Sequence, residues 1–274
     1  MRPGRYHGRE LAGEDAAMTM AERGDAELTN AEFLDLRFDT VDEAQAMAMI
    51  AARAPNAPFA YVVTPNVDHV VRLHLHRSDL WPVYRRAWLT LCDSRILAGL
   101  ARQVGLRLPV VPGSDLTQHM VGHAIAPGDR IAILGGGASI VDELRAAYGF
   151  HDIVHYDPPM GFARDSAEVA RAAEFLIAAR ARYSFLAVGS PQQEIVARHV
   201  EKSGRAIGTG LCIGASLDFL VGRQTRAPRL VQRLGMEWLF RLLSSPRRLW
   251  RRYLVDGPAI FALFTSWRRA RTLP

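Results

Sequence analysis

Cysteine is scarce: Cys92 and Cys212 are the two in a chain of 274 residues. Both sit in apolar runs, so a disulfide scaffold is excluded and the pair reads as reduced core thiols of a cytosolic protein. Long apolar runs are missing too. No stretch reaches the roughly 18–20 residues that a spanning helix needs, which argues against an integral membrane protein. Residues 1–30 lack apolar periodicity and the apolar middle of a secretory leader; they read as a flexible extension with no cleavable signal. The nine histidines are scattered and no Cys/His group has metal-site spacing, so no metal is expected. There is no internal repeat and no low-complexity tract. What the C-terminal fifth lacks is lysine and, nearly, acid: residues 223–274 hold twelve arginines against Glu237 and Asp256, a net charge of +10. The whole chain is +6, which leaves the first 222 residues at −4. A mildly acidic body with a basic tail expects a polyanion or an anionic surface as partner.

The rest is ordinary globular composition, 49% hydrophobic and 23% charged, which excludes dominant disorder. The length allows one large or two small domains with a full core. Short apolar runs alternate with helical patterns. Strands are expected at Leu36–Phe38, Phe59–Val63, Leu89–Cys92, Val110-Val111, Arg130–Leu134, Ile153–Tyr156, Phe185–Val188 and Ala206–Gly208. Helices are expected over Val41–Ala54 (capped by Thr40), Val67–His76, Ile96–Val104, Ser139–Tyr148 and Ser166–Arg180, and from Leu116 and Gln192. Such alternation gives a Rossmann-like parallel sheet flanked by helices, an α/β domain over residues 31–225. Past Gly222 the texture changes. Pro228, then Leu230, Val231, Leu234, Trp238, Leu239, Leu242 and Leu243 keep helical spacing with arginines on the other faces, and Pro258–Trp267 is apolar but short. Residues 226–274 therefore read as a basic, amphipathic helical appendage that associates with a membrane.

In parallel sheets ligands sit at the carboxyl ends of the strands. Asp93 closes a buried strand, where a carboxylate serves as a general base or, more blandly, as a helix cap. Thr64 and Asn66 flank a proline at a strand end and offer a hydroxyl and an amide, although Pro and Asn also favour plain turns. Gly135-Gly136-Gly137, between strand and helix, is a phosphate-cradle candidate, and Asp157 stands where a ribose-binding acid sits; together they support a NAD(P)-dependent oxidoreductase as an alternative. In Gly189-Ser190-Pro191-Gln192-Gln193-Glu194 small residues let the backbone approach a ligand that Ser190 and Gln193 can reach, or Glu194 complements a helix dipole. The arginines suit phosphate or anionic lipid, since guanidinium binds phosphate in bidentate fashion. A third reading is a module that binds anionic membrane or nucleic acid through the tail.

These segments, in this order, resemble the bacterial WecG/TagA/CpsF glycosyltransferases. The resemblance is carried by Thr64-Pro65-Asn66-Val67-Asp68-His69, Asp93, Gly113-Ser114-Asp115-Leu116, Ile133–Gly137, Gly189–Glu194, Gly214–Gly222, and the long stretch Arg226–Arg229 and Gln232–Leu242 running on to Pro246–Tyr253. It spans roughly residues 35–255. It implies inverting, metal-independent transfer of a sugar from a UDP-linked donor to a polyprenyl-diphosphate-linked saccharide on the cytoplasmic face of the inner membrane. No resident cofactor and no nucleic-acid partner is implied. N-acetylmannosamine, its uronic acid, glucose and galactose are the candidate sugars, and the oligomeric state stays open. By the same resemblance Asp93 is the base with Thr64 and Asn66 beside it. Gly113, Ser114, Asp115, Gly135, Gly136, Gly137, Gly189, Ser190, Gln193 and Glu194 fall on the donor side. Arg226, Arg229, Arg233, Arg241, Arg247, Arg248, Arg251 and Arg252 fall on the acceptor diphosphate and membrane side. Two departures stand out: Ser94 follows the aspartate where the family commonly has Gly, and Leu217 replaces the usual Phe.

Overall fold

The computed structural model describes residues 29–224, 227–228, 231 and 236–272. The expected extension, up to residue 28, lies outside the described residues, as do Arg226, Arg229, Arg233 and the side chain of Arg248. Six parallel strands form one sheet in the order β4-β3-β8-β7-β5-β6: β3 (Ala60–Val63), β4 (Leu89–Thr90), β5 (Ile131–Gly135), β6 (Ile153–Tyr156), β7 (Tyr183–Ala187) and β8 (Thr209–Cys212). A separate antiparallel hairpin joins β1 (Asn30–Phe33) to β2 (Leu36–Asp39), with Phe33 opposite Leu36. The α/β, Rossmann-like sheet is as the alternating pattern implies.

Alternate side chains of the strands feed two cores. Tyr61, Val63, Ala132, Leu134 and Leu186 point to one face, and Val62, Leu89, Ile131, Ile133 and Phe185 to the other. On the first face lie α2 (Val67–Leu75), α3 (Trp81–Arg85), α7 (Ser166–Ala179) and α8 (Gln192–Ser203), burying Val70, Leu73, Tyr84, Leu176 and Val196. On the second lie α1 (Glu43–Ala52), α5 (Gly113–His119) and α6 (Ile140–Tyr148), burying Ile50, Leu116 and Leu144. The Tyr61 hydroxyl, deep in the first core, donates to the Val83 carbonyl.

Several local expectations change. Asp42, not Thr40, caps α1 through a reciprocal bond with Gln45, so the helix starts at Glu43. Helix α5 starts at Gly113 rather than Leu116, because the Leu116 N–H already closes on the Pro112 carbonyl at 3.1 Å. Val110 contributes a single bridge to Cys92 rather than a strand. The last strand is Thr209–Cys212, not Ala206–Gly208. Its Gly210 lies under the Phe59 ring, where a Cβ would stand 2.5 Å from Phe59 Cζ. Close packing on the strand therefore requires glycine, the residue that disguises it.

After β8 come α9 (Ser216–Leu220), then α10 (Glu237–Ser244), α11 (Pro246–Trp250), a π-helical turn Arg251–Asp256, and α12 (Ala259–Thr272). The apolar face of α12 is covered by the body. Ile260 and Phe264 are buried, the Trp267 ring meets Phe33 edge-on at 5.3 Å, and Trp267 Nε1 donates to Asp35 Oδ1 at 3.1 Å. Arg271 pairs with Glu32 at 2.9 Å. Among the described residues the exposed large apolar side chains of this C-terminal region are Met236, Leu243, Trp250, Leu254, Val255 and, on α12 itself, Phe261. No helix among the described residues is long and apolar enough to cross a membrane.

Candidate active site at the strand ends

Parallel strands put all their carboxyl ends on one edge of the sheet. Along that edge stand, in sheet order, Asp93 after β4, Thr64 and Asn66 after β3, Gly214 after β8, Gly189 and Ser190 after β7, and Gly135–Gly137 after β5. The row groups the predicted residues into two neighbourhoods.

The first is a cleft of about 430 Å³. The body supplies Asn66, Asp68 and Asp93. The C-terminal region roofs it with Glu237, Arg241, Arg252 and Tyr253, and Ile96, Val110, Leu254 and Phe261 form apolar walls. Asp93 is held by its backbone: its N–H donates to the Pro65 carbonyl at 3.0 Å, and Val111 N–H donates to the Cys92 carbonyl at 2.8 Å. The cap of α4 (Arg95–Arg102) is Ser94, whose Oγ accepts from Leu97 N–H at 3.2 Å. The residue that departs from the family pattern thus takes over capping, and the half-buried Asp93 carboxyl lines the cleft. Burial pushes that carboxyl up, Arg241 pulls it down, Glu237 and Asp115 push it up again and Arg252 pulls it down, leaving a pKa of about 7. A carboxylate tuned there is suited to take a proton near neutral pH.

Asn66 serves locally as a helix cap and also lines the cleft. Its Oδ1 caps α2 by accepting from Asp68 N–H at 3.1 Å and lies 3.5 Å from Arg252 Nη2, while the residue lines the cleft. Thr64 packs on Gly113 so closely that a Cβ there would stand 2.8 Å from Thr64 Oγ1. Ser114 and Asp115 follow in the first turn of α5, half-buried. Of the predicted arginines, Arg241 and Arg252 line the cleft, and Arg241 pairs with Glu237 at 2.8 Å. Arg247 and Arg251 are exposed.

The second neighbourhood lies farther along the edge. Gly135, Gly136 and Gly137 all have left-handed backbones, with φ of 88°, 89° and 80°. Gly135 is irreplaceable on space as well, since a Cβ would meet the Ala187 carbonyl oxygen at 2.9 Å. Arg223 spans this turn: it donates to the Gly136 carbonyl and to Ser139 Oγ and forms a two-pronged pair with Glu143. Between the neighbourhoods, the Gly189–Glu194 turn faces inward. Gln193 and Glu194 are buried; Gln193 Oε1 accepts from Gly214 N–H at 2.8 Å and its Nε2 donates to Glu194 Oε1 at 2.9 Å. Burial raises the Glu194 carboxyl, while Gln193 and Arg72 oppose the rise. These two residues shape the turn and leave Ser190 and the backbone at its surface.

Sequence reading missed Arg72, which donates to Ser190 Oγ at 2.6 Å, and Arg223. The Asp68/Arg72 spacing of four on one helix was the available signal for the first. It missed Glu237 and Tyr253 as cleft residues because their place depends on how the C-terminal region folds back.

A carboxylate at a strand end with arginines across the cleft from it, and glycine turns farther along the same sheet edge, are parts suited to group transfer from a phosphorylated donor. The model of the glycosyl transferase WecG/TagA/CpsF family matches residues 31–273, and the chain belongs to that family.

Proposed function

We propose that this glycosyltransferase of cell-surface polysaccharide synthesis moves a sugar from a UDP-linked donor to a polyprenyl-diphosphate-linked saccharide with inversion, and that Asp93 is its base. In this reading the acceptor hydroxyl oxygen attacks the anomeric carbon, the bond to the diphosphate oxygen breaks, and the hydroxyl proton passes to Asp93. Arg241 and Arg252 hold acceptor phosphate, and backbone N–H groups of the glycine turns hold the leaving diphosphate. The observation that carries the reading is the Asp93 carboxyl, raised to about 7 by burial, facing two arginines across one cleft. Thr64 and Asn66 orient the reacting groups. A membrane-borne acceptor fits the lining: the exposed apolar side chains Leu254 and Phe261 line the same cleft as Arg241 and Arg252. A lipid-borne diphosphate then enters from the bilayer surface, which we place at the cytoplasmic face of the inner membrane. The dinucleotide reading of Gly135–Gly137 and Asp157 gives way to the family assignment.

A transfer assay tests the proposal, with a panel of UDP-sugars and a polyprenyl-diphosphate-linked acceptor, comparing wild type with Asp93→Asn, each with and without EDTA. Transfer from one donor, insensitive to EDTA and lost in the variant, is the expected result. Transfer that survives Asp93→Asn places the base elsewhere, and EDTA sensitivity overturns the metal-independent step.

A further inference from the structure

A chain of polar contacts joins the two sides of the cleft, and the transfer chemistry leaves two of its members, Asp68 and Arg72, without a task. Asp68 lies in the first turn of α2; its Oδ2 is 3.4 Å from Arg72 Nη1 and 3.5 Å from Arg252 Nη2. Arg72 also donates through Nη2 to Ser190 Oγ at 2.6 Å, in the turn that leads into α8. Arg252 comes from the opposite side, from the segment that roofs the cleft, and reaches Asn66 as well. One carboxylate oxygen thus lies between two guanidinium groups, one anchored on the Ser190 turn and one on the roof. The three side chains are 24%, 16% and 34% exposed, sheltered enough for such a bridge to outweigh a surface ion pair.

We propose that Asp68 is a positioning residue, an ionic pin that registers the arginine-bearing roof against the Ser190 turn and so keeps Arg252 above Asp93. The inference rests on the reading of this cleft as the transfer site. Without the carboxylate, the two guanidinium groups repel across the gap and the roof moves outward. That loosening weakens acceptor binding and admits water to the donor, while the base itself stays in place.

The test uses the full chain as wild type, Asp68→Asn, Asp68→Glu, Arg252→Gln and the Asp68→Asn/Arg252→Gln double variant. Amide hydrogen exchange over residues 251–256 reads the roof directly and needs no substrate. Asp68→Asn is expected to speed exchange there by about tenfold with the melting temperature nearly unchanged, and Asp68→Glu to restore most of the protection. In the transfer assay Asp68→Asn is expected to raise acceptor KM about tenfold and to increase donor hydrolysis, and the double variant to be no worse than Arg252→Gln alone. Wild-type exchange and KM in Asp68→Asn overturn the pin, as do effects that multiply in the double variant. A folded wild type that transfers nothing counts against the proposed reaction, and the exchange measurement then decides the pin by itself. Should Asp68→Asn fail to fold, Arg252→Gln breaks the same bridge from the roof side and is expected to speed exchange over residues 251–256 with the rest of the chain protected; wild-type exchange there, or uniform loss of protection, overturns the pin.

Discussion

At the scale of single residues, the Asp93 carboxyl has a raised pKa of about 7, so it exchanges its proton near neutral pH. If it is the base, the ionised form is the active one. The rate constant kcat is then expected to rise about tenfold per pH unit below 7 and to level off above it, a profile that a pH series at saturating substrates reads. A flat profile between pH 5 and 8, or one that falls through 7, counts against the assignment. Asp93→Asn is expected to lower kcat by roughly a thousandfold with donor KM little changed. The same shift has a stability consequence of opposite sign. The folded pKa lies above the ordinary 3.8, so the folded state holds the proton more tightly; that stabilisation is present below 3.8 and is lost as pH rises through 7. At pH 8 the ionised carboxylate is a standing cost that asparagine lacks. The variant is therefore expected to melt higher than wild type by roughly 10 °C at pH 8, with the gap narrowing toward pH 5. Equal melting at pH 8 removes the burial argument for the raised pKa.

At the scale of elements, the α12 contact with the hairpin decides how firmly the C-terminal region is attached. Trp267→Ala removes the edge contact with Phe33 and the bond to Asp35. The expected loss is roughly 2 kcal/mol, about 6 °C in thermal melting, and no change in melting means that α12 contributes nothing to the fold. Gly135→Ala forces a Cβ against the Ala187 carbonyl at a φ of 88°, and is expected to cost about 3 kcal/mol in chemical denaturation. The elements themselves were unevenly legible in the sequence. Central strands such as Ile131–Gly135 are continuous, fully buried apolar runs bounded by turn residues, the pattern of a parallel strand covered on both faces. The hairpin was hidden for a physical reason. Its two-residue turn is Leu34-Asp35, both left-handed at φ of 52° and 59°, where an Asn-Gly pair is the usual signal. In the candidate site Asp93 and Asn66 were legible because strand ends and prolines mark them. Asp68 and Arg72 were not, since their meaning comes from Ser190, 118 residues from Arg72, and from Arg252 on the roof.

At the scale of the whole molecule, the charge division visible in the sequence acquires a direction. Arg252 and Tyr253 turn into the cleft, whereas Arg247, Trp250, Arg251 and Val255, outside its lining, recur at spacings of three and four and are exposed. One short segment thus binds inward to the site and presents cations with apolar side chains outward. That pairing is what an interfacial anchor needs, since each arginine near an anionic surface contributes about 1 kcal/mol and apolar groups add their own transfer free energy. Sedimentation with vesicles separates the two contributions. Wild type is expected to bind anionic vesicles far better than zwitterionic ones, with affinity falling as salt rises. Arg247→Gln with Arg251→Gln should weaken binding to anionic vesicles about thirtyfold and flatten its salt dependence, because about 2 kcal/mol of attraction is removed. Trp250→Ser with Val255→Ser should weaken it about tenfold while leaving the salt slope intact, since what is lost is burial of apolar surface. If both pairs lowered binding with the same salt slope, or if neither did, the outward face of this segment would not be the anchor. The acceptor would then have to reach Arg252 from solution rather than along the bilayer surface.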